Sequence, residues 1–317
     1  MFKNIVKIIN EYDSIVIFGH IHPDGDSYGS GIALREILKE TYPTKQVFAV
    51  GVGMPDFYAT ISPMDVVCDD VIKNSLAILI DANSLDRSED ARIYNAKAFC
   101  KIDHHVDLHN FTEGPEVIVD QAVSTCEILF DFATKNNLKI NKIAAKALFL
   151  GMLTDSGRFQ FYEDFEKAFS MSKALVEYGA DPKETYEILN KTDELAIKLN
   201  GYILNNYKKT DHGVIYFVMP YDKVKMYGDD TRGIANNIRY LCNIKGYDIA
   251  VAFVEFQDHR MVMEFRSPCY NIQKLAAKYG GGGHIHASGL TISEFNEDNI
   301  KMILDECDKI LLKGDKE

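Results

Sequence analysis

Residues 19–30 read GHIHPDGDSYGS and follow a short apolar run at 15–18. An apolar run of this length predicts a buried strand, and helical spacing of apolar residues after the stretch predicts a helix. A proline and a glycine inside the stretch predict the turn that joins them, at a strand end where α/β proteins place their chemistry. The candidate side chains are His20, Asp24 and Asp26. On this stretch alone, metal binding and simple capping of the helix both remain open.

The composition indicates an ordinary soluble protein of about two domains. The chain has 317 residues, and its hydrophobic content of 46% is enough for a core in each half. No apolar run approaches the roughly 20 residues of a membrane span, and the N-terminus lacks the layout of a signal peptide. Six cysteines without a CxxC pair speak against a zinc cluster or a disulfide framework. We therefore expect a cytoplasmic protein with no membrane partner.

The formal net charge of −12 restricts the partners. A protein that grips long nucleic acid usually carries a basic face, whereas this chain would repel a polyanion. An acidic surplus commonly serves solubility alone. It is also compatible with a small anionic substrate held by bound metal ions, so we expect no long nucleic acid as a partner.

Strands that alternate with helices in the first half of the chain predict a parallel sheet flanked by helices. The predicted strands are 15–18, 44–50, 75–80, 98–102 and 116–119. A long helical pattern at 191–211 precedes a change of character and predicts a helical linker. The expected fold class is therefore α/β, with a larger N-terminal domain over 1–190, a smaller C-terminal α/β domain over 212–317 and a cleft between them.

Acids and histidines recur where the predicted strands end. Because the carboxyl ends of parallel strands lie along one edge of a sheet, these side chains can converge, and an acid at a helix end could join them. The candidates are His20, Asp24, Asp26, Asp81, His104, His105 and Asp155. Carboxylates and imidazoles without cysteine favour Mn²⁺, Mg²⁺ or Co²⁺, and this set is too large for one ion and right for two. Two such ions can activate a hydroxide for in-line attack on phosphorus.

The second half carries one conspicuous glycine run, GGGGH at 280–284. We predict a loop whose exposed backbone N–H groups suit a phosphate, with a helix after it, although a flexible turn remains an alternative. Arg266 and Ser267, just upstream, supply a forked cation and a hydroxyl for the same anion.

Taken together, these motifs resemble the DHH family of phosphoesterases. Four separated pieces appear in the family's order: the His20-x-x-x-Asp24-x-Asp26 motif, Asp81, the triplet Asp103-His104-His105, and Asp155 in LTDSGRF. The segment 124–127, STCE, resembles the family's Ser-Thr-x-Glu segment. The segment 280–289 resembles the DHH-associated domain, which often has alanine where Ser288 stands. The resemblance spans nearly the whole chain.

The resemblance implies roles for these residues. One metal ion would be held by His20, Asp24 and Asp81. The other would be held by Asp26, Asp81, His104 and Asp155, with His105 contacting phosphate and Asp103 completing the catalytic triplet, although which histidine is the ligand stays open. The substrate's far end would lie against Arg266, Ser267, Gly281, Gly282, Gly283 and His284. Pro268 departs from the more common basic or polar residue.

Within the family, chain length and motif order resemble the bacterial nanoRNases. These Mn²⁺-dependent exoribonuclease-type hydrolases cut short oligoribonucleotides to mononucleotides and convert 3′-phosphoadenosine 5′-phosphate (pAp) to AMP, by two-metal-activated hydroxide attack. Three alternatives stay open: a linear or cyclic dinucleotide phosphodiesterase, a family II pyrophosphatase or exopolyphosphatase, and a non-catalytic nucleotide-binding protein. The glycine-rich ending speaks against a pyrophosphatase, and a homodimer is open as an oligomeric state.

Overall fold

The computed structural model describes residues 1–21, 23–51, 60–105 and 111–314. His22 of the opening stretch therefore lies outside the described residues. The chain divides into two compact units, Met1–Lys191 and Thr192–Glu317. Within the described ranges, no helix combines the length and the apolar character that crossing a bilayer requires.

The first unit is built on a parallel sheet of five strands, in the order β2-β1-β3-β4-β5. The strands are β1 Ser14–Phe18, β2 Gln46–Val50, β3 Leu76–Ile80, β4 Ala98–Asp103 and β5 Glu116–Ile118. All residues of β3 are buried, as a parallel strand covered on both faces requires. The predicted parallel sheet is confirmed.

Helices cover both faces of this sheet. They are α1 Lys3–Glu11, α2 Gly25–Thr41, α3 Asp69–Lys73, α4 Thr125–Lys135, α5 Lys142–Asp155, α6 Phe165–Glu177 and α7 Pro182–Leu189. Because side chains alternate along a strand, Ile15 and Ile17 of β1 join one apolar cluster, with α2, α4 and α5. Val16 and Phe18 join a second cluster, on the side of α3. One face of the sheet therefore packs against α2, α4 and α5, and the other face packs against α3.

The second unit contains a mixed sheet of six strands, in the order β10-β11-β9-β8-β7-β6. The strands are β6 Lys208–Lys209, β7 Val214–Met219, β8 Ile249–Glu255, β9 Met261–Arg266, β10 Gly282–His284 and β11 Ala287–Ile292. The helices are α8 Glu194–Asn206, α9 Tyr221–Val224, α10 Thr231–Asn236, α11 Gln273–Lys278 and α12 Glu297–Lys313. Strands β7 and β8 are parallel, and β8 and β9 are antiparallel. The segment expected to be a linker enters this unit as α8 and β6.

The glycine run is an edge strand rather than the predicted loop. Gly282 to His284 form β10, and the segment after it is strand β11 rather than the expected helix. A Cβ on Gly281 would lie 2.3 Å from the Gly289 carbonyl oxygen, and Gly283 has a φ of 126°. These two glycines are therefore required by the close approach of β11 and by a left-handed backbone. A Cβ on Gly282 would meet no atom of the described residues within 4 Å.

Ser288 on β11 should limit the stability of the second unit. Its side chain is buried, and no described residue pairs with its hydroxyl oxygen. We expect Ser288→Ala to raise the free energy of unfolding by about 1 kcal/mol, because a buried hydroxyl without a partner is destabilising. Urea denaturation of the full chain measures this difference.

Ser267→Ala is the matched control, because Ser267 is equally buried but its hydroxyl donates to the Asp248 carbonyl oxygen at 2.7 Å. This variant should lose about 1 to 3 kcal/mol, because it removes this hydrogen bond and the one that the Tyr270 amide donates to the Ser267 hydroxyl at 3.0 Å. A loss of stability in Ser288→Ala would contradict the assignment.

Candidate active site

Five elements of the first unit bring the predicted acids and histidines together. Three of them are neighbouring strands: β1, β3 and β4 end just before His20, at Ile80 before Asp81, and at Asp103. Helix α2 begins beside Asp24 and Asp26, and α5 ends at Asp155. The carboxyl edge of the sheet and two helix ends thus meet at one place, as the alternation of strands and helices predicted.

The side chains form three overlapping sets, and in each set the candidate ligand atoms lie within 4.8 Å of one another. The sets are His20, Asp24, Asp81; Asp81, His104, His105; and Asp26, His104, Asp155. The Nε2 atom of His20 lies 3.4 Å from Asp81 Oδ2, and that of His104 lies 3.5 Å from Asp81 Oδ1. Each oxygen of Asp81 thus faces a different histidine, which is the arrangement that a residue shared by two ions needs.

The backbone of Asp81 is in the left-handed region, with a φ of 55°. Its amide donates to the Ile102 carbonyl oxygen at 3.0 Å, and the Thr125 hydroxyl donates to its Oδ1 at 3.0 Å. A non-glycine residue in this region is unfavourable by about 1 kcal/mol or more, so it persists only where its surroundings hold it. Such residues cluster at active sites.

Asp26 is fully buried and is held by the first residues of α4. The Thr125 amide donates to its Oδ2 at 2.7 Å, and the Cys126 amide donates to its Oδ1 at 3.0 Å. The first N–H groups of a helix have no acceptor within the helix, so a carboxylate is favoured at this end. Even so, burial and then the charges of Asp81 and Asp155 raise the pKa of Asp26 well above its usual range. Cations bound beside these carboxylates would offset the repulsion between them.

The geometry of Asp24 is compatible with both functions that the sequence left open. Its Oδ1 caps α2 by accepting from the amides of Asp26 and Ser27, each at 3.0 Å. Its Oδ2 faces His20, with 3.7 Å to Nε2. Burial raises the pKa of Asp24, but the hydrogen bond and charge of His20 and the two amides outweigh it and lower the pKa. One oxygen therefore orders the helix while the other points into the site.

Two histidines have the orientation that metal ligands take. His20 Nδ1 lies 2.9 Å from the Ile21 carbonyl oxygen, and His104 Nδ1 lies 3.2 Å from the Ala122 carbonyl oxygen. A proton on each Nδ1 would leave the lone pair of Nε2 facing the carboxylates. The Nε2 atom of His104 is buried and has no hydrogen-bond partner among the described residues. An imidazole nitrogen in this state fits a divalent cation.

Asp103 contacts His105, which belongs to the set with Asp81 and His104 and whose Nδ1 lies 3.7 Å from Asp81 Oδ1. Asp103 Oδ1 lies 2.8 Å from His105 Nδ1 and accepts from the His105 amide at 3.2 Å. Burial raises the pKa of Asp103, but these contacts outweigh it and lower the pKa. Asp103 is absent from the three sets of candidate ligands among the described residues. Its carboxylate orients the ring of His105 instead.

Sequence reasoning missed two supporting residues. Thr125 donates to Asp26 and to Asp81 at once, although the sequence indicated only that it belongs to the STCE segment, with no role assigned. Lys101 is fully buried on β4, and its ammonium donates to the Asn83 carbonyl oxygen at 3.1 Å and pairs with Glu116 at 3.0 Å. It ties the segment after Asp81 to the strand that leads to Asp103. The sequence signal that could have identified Lys101 is a lysine inside an otherwise apolar strand.

The predicted substrate-binding residues lie in the second unit. The register pairs Arg266 with Ala287 and Ala287 with His284, so the three side chains stand in one row. The Arg266 guanidinium lies 3.1 Å from Glu264 Oε2 and donates to the Phe265 carbonyl oxygen at 2.8 Å. The Ser267 hydroxyl is engaged with the backbone. Their contact with a substrate stays a prediction.

Comparison with known proteins identifies the class. Residues 14–152 match the DHH family, N-terminal domain, and residues 211–313 match the DHHA1 domain. The chain belongs to the DHH family and carries a DHHA1 domain, so the predicted resemblance is confirmed. Proteins of this family are metal-dependent phosphoesterases, which agrees with the donor set.

Particular relatives are similar over almost their whole length. The chain is 33% identical over 301 residues to the bifunctional oligoribonuclease and PAP phosphatase NrnA of Bacillus subtilis, an alignment that covers 94% of this chain and 95% of that protein. It is 30% identical to the protein of the same name from Mycoplasma genitalium, with 96% of each covered. The crystal structure of an exopolyphosphatase-related protein from Bacteroides fragilis matches with a TM-score of 0.83 at 24% identity, covering 97% of this chain and 96% of that one. This last likeness supports the fold.

Metal binding should release protons. Burial lowers the pKa of His20, but Asp24 and Asp81 outweigh it and raise the pKa from 6.5 to about 11. The pKa of His104 is raised by Asp155 and Asp81 against the effect of burial, and burial raises the pKa of Asp155. Each of these groups binds its proton more tightly when folded, so protons stabilise the metal-free fold at low pH and this stabilisation is lost as pH rises toward 11.

We therefore expect Mn²⁺ affinity to increase from pH 6 to pH 9, because the ion must displace these protons. Titration calorimetry in two buffers of different ionisation enthalpy gives the number of protons released per ion. Binding without proton release at pH 7 would contradict the proposed ligand set.

Gly151 on α5 should control the position of Asp26. A Cβ at this position would lie 2.3 Å from Cys126 Sγ and 2.7 Å from Asp26 Oδ1. We expect Gly151→Ala to weaken Mn²⁺ binding by at least about tenfold, in the range seen when residues that support ligands are changed. Isothermal titration measures the dissociation constant.

The control is Gly31→Ala on α2, where the Cβ would come only to 3.8 Å from Met64 Cε. Alanine should stabilise this helix by up to about 1 kcal/mol and leave metal binding unchanged. Equal metal affinity in both variants would show that α5 does not constrain Asp26.

Proposed function

We propose that this protein is a metal-dependent phosphoesterase that hydrolyses short oligoribonucleotides to mononucleotides and pAp to AMP. The observation that carries this proposal is Asp81, whose two oxygens face His20 and His104 in overlapping sets of candidate ligands. The names of the relatives at 30–33% identity support the substrate class. We further propose a cytoplasmic protein with a catalytic domain over 1–190, a helical linker over 191–211 and a substrate-binding domain over 212–317.

Two divalent ions, with Mn²⁺ preferred and Mg²⁺ or Co²⁺ as alternatives, fit the mixture of carboxylates and imidazoles. One would be held by His20, Asp24 and Asp81, and the other by Asp26, Asp81, His104 and Asp155. When bound, the ions supply a water-derived nucleophile at neutral pH and stabilise the charge that develops on the phosphoryl group. The chain's own residues position the ligands and the substrate.

His105 is the group we assign to the phosphate. It is partly exposed, and Asp103 Oδ1 lies 2.8 Å from its Nδ1, which fixes the orientation of the ring. An imidazole fixed in this way can donate a hydrogen bond to a phosphoryl oxygen without losing side-chain entropy on binding. Asp103 is therefore a positioning residue, and His105 is the residue that touches the substrate.

The far end of the substrate is assigned to Arg266, Ser267, Gly281 to Gly283 and His284. Gly281 and Gly283 have reasons within the chain, but Gly282 has no left-handed backbone, and a Cβ there would meet no atom of the described residues within 4 Å. A glycine without an internal reason is expected where another molecule approaches the backbone. Arg266 and His284, in register on either side of β11, supply charge and hydrogen bonds beside it.

A panel of substrates with Mn²⁺ tests the proposal. We expect turnover of pAp, a dinucleotide and a five-mer, and a steep fall in kcat/KM for a thirty-mer, because a net charge of −12 offers a long backbone little counter-charge. Pyrophosphate and a cyclic dinucleotide, included in the panel, represent the alternative activities. A preference for either one, or equal efficiency on the five-mer and the thirty-mer, would contradict the proposal.

Asp81→Asn is the matched control for every substrate of this panel. It removes the shared charge at nearly constant size, and we expect kcat to fall by at least about a hundredfold, since changing residues that merely support a ligand already costs 10- to 100-fold.

A further inference from the structure

Glu264 on β9 places a carboxylate on the face to which the far end of the substrate is assigned. Because side chains alternate along a strand, Glu264 lies on the same face of the sheet as Arg266, two positions away. The side chain of Glu264 is 17% exposed, and its Oε2 lies 3.1 Å from the Arg266 guanidinium. A largely buried negative charge therefore stands beside the cation that the sequence suggested for an anion.

An open strip of backbone begins at this carboxylate. The register pairs Glu264 with Gly289, and Gly289 with Gly282 on the edge strand. A Cβ on Gly289 would lie 2.6 Å from Glu264 Oε1, whereas one on Gly282 would meet no atom of the described residues within 4 Å. Because neither glycine carries a side chain, this glycine strip leaves the backbone uncovered, with Oε1 at its inner end.

The Arg266 guanidinium already has partners within the chain. Besides Glu264, it donates to the Phe265 carbonyl oxygen at 2.8 Å and to Asn236 Oδ1 at 3.3 Å. The carboxylate offsets its charge, and a phosphate bound beside Arg266 would also lie beside Glu264. Like charges brought together in this way are costly, because the site is largely withdrawn from water.

The two residues that follow Arg266 offer a phosphate no donor. The Ser267 hydroxyl donates to the Asp248 carbonyl oxygen at 2.7 Å and accepts from the Tyr270 amide at 3.0 Å, so its hydrogen is used within the chain. Pro268 is exposed but has neither a charge nor an N–H group. This end of β9 is therefore poorly equipped for a terminal phosphate.

The carboxylate suits a ligand that donates hydrogen bonds. Burial raises the pKa of Glu264 and outweighs the opposing effects of Arg266 and Arg232. The ionised carboxylate would therefore be stabilised by a further donor, and hydrogen bonds to a charged acceptor are stronger than those between neutral groups. The exocyclic amines of bases and the 2′-hydroxyl of ribose are such donors.

We propose that Glu264 selects a substrate whose far end is an uncharged nucleoside over one that ends in a phosphate. The carboxylate accepts a hydrogen bond from a base N–H or a sugar O–H that lies on the glycine strip, and it repels a terminal phosphate. This inference rests on the proposed function, which assigns the far end of a short oligonucleotide to this face.

Two dinucleotides that differ only in a 5′-phosphate test the selection. With Mn²⁺, we expect the full chain to have a kcat/KM at least about tenfold higher for the dinucleotide with a free 5′-hydroxyl, and we expect Glu264→Gln to bring this ratio near one. Glutamine removes the charge but keeps an oxygen acceptor, so the gain should fall on the phosphorylated substrate. Glu264→Asp keeps the charge and should keep the preference.

Glu306→Gln is the matched control. Glu306 is 19% exposed and pairs with two lysines, and its helix α12 packs on the opposite face of the sheet, with Met263 and Phe265. This variant changes the net charge equally and should leave the ratio unchanged. Turnover of both dinucleotides with the same ratio in wild type and Glu264→Gln, or an equal change in the control, would overturn this inference alone. Turnover of neither would overturn the proposed function and this inference with it.

Two altered dinucleotides identify the donor. If the donor is the sugar hydroxyl, replacing the 5′ ribose by 2′-deoxyribose should lower the wild-type kcat/KM by about tenfold. If the donor is the base, replacing a 5′ adenine by purine, which lacks the amine, should have this effect, since hydrogen bonds to charged groups are strong enough for a loss of this size. No loss with either substrate would overturn the hydrogen bond to Glu264.

Discussion

The structure of the first unit depends on holding buried carboxylates close together. Asp26 and Asp81 are both almost fully buried, and burial and the charge of Asp81 raise the pKa of Asp26. Thr125 contacts both of them, with its amide on Asp26 and its hydroxyl on Asp81. The start of α4 thus offsets part of the repulsion, and the remainder requires cations or protons.

Close packing of helices follows from this constraint. Asp26 can reach the amides of α4 only if α2, α4 and α5 approach closely, and small residues permit the approach. A Cβ on Gly29 would lie 2.5 Å from the Ala147 carbonyl oxygen, and one on Gly25 would lie 2.3 Å from Thr154 Cγ2. The glycines of the opening motif therefore bring the helices into contact around the acids, in addition to forming a turn.

The sequence predicted those parts of this arrangement that follow from rules on short segments. Strand ends of a parallel sheet share an edge, so His20, Asp81 and the residues after β4 could be expected to converge from their positions alone. The family resemblance then supplied an order of motifs that periodicity cannot give. Both kinds of prediction use short stretches of sequence, and the first unit consists mainly of short strands and helices that alternate.

The predictions failed where pairing with another segment decides the conformation or the contacts. The glycine run was expected to be a loop because four glycines are locally flexible, but its pairing with β11 and the close backbone approach at Gly281 make it a strand. Thr125 was identified only as part of the STCE segment, and its contact with Asp26 crosses 99 positions. A choice between capping and metal binding at Asp24 was also unnecessary, since its two oxygens have different neighbours.

The left-handed backbone of Asp81 limits which side chains are compatible with this position at the centre of the site. Among residues other than glycine, asparagine, aspartate and histidine are the ones enriched in this conformation, and aspartate alone among them carries a negative charge. Glutamate has the same charge but lacks the short polar side chain that tolerates such a backbone. A change in metal preference would therefore have to come from the surrounding ligands. No substitution of Asp81 keeps both the negative charge and a side chain that suits the left-handed backbone.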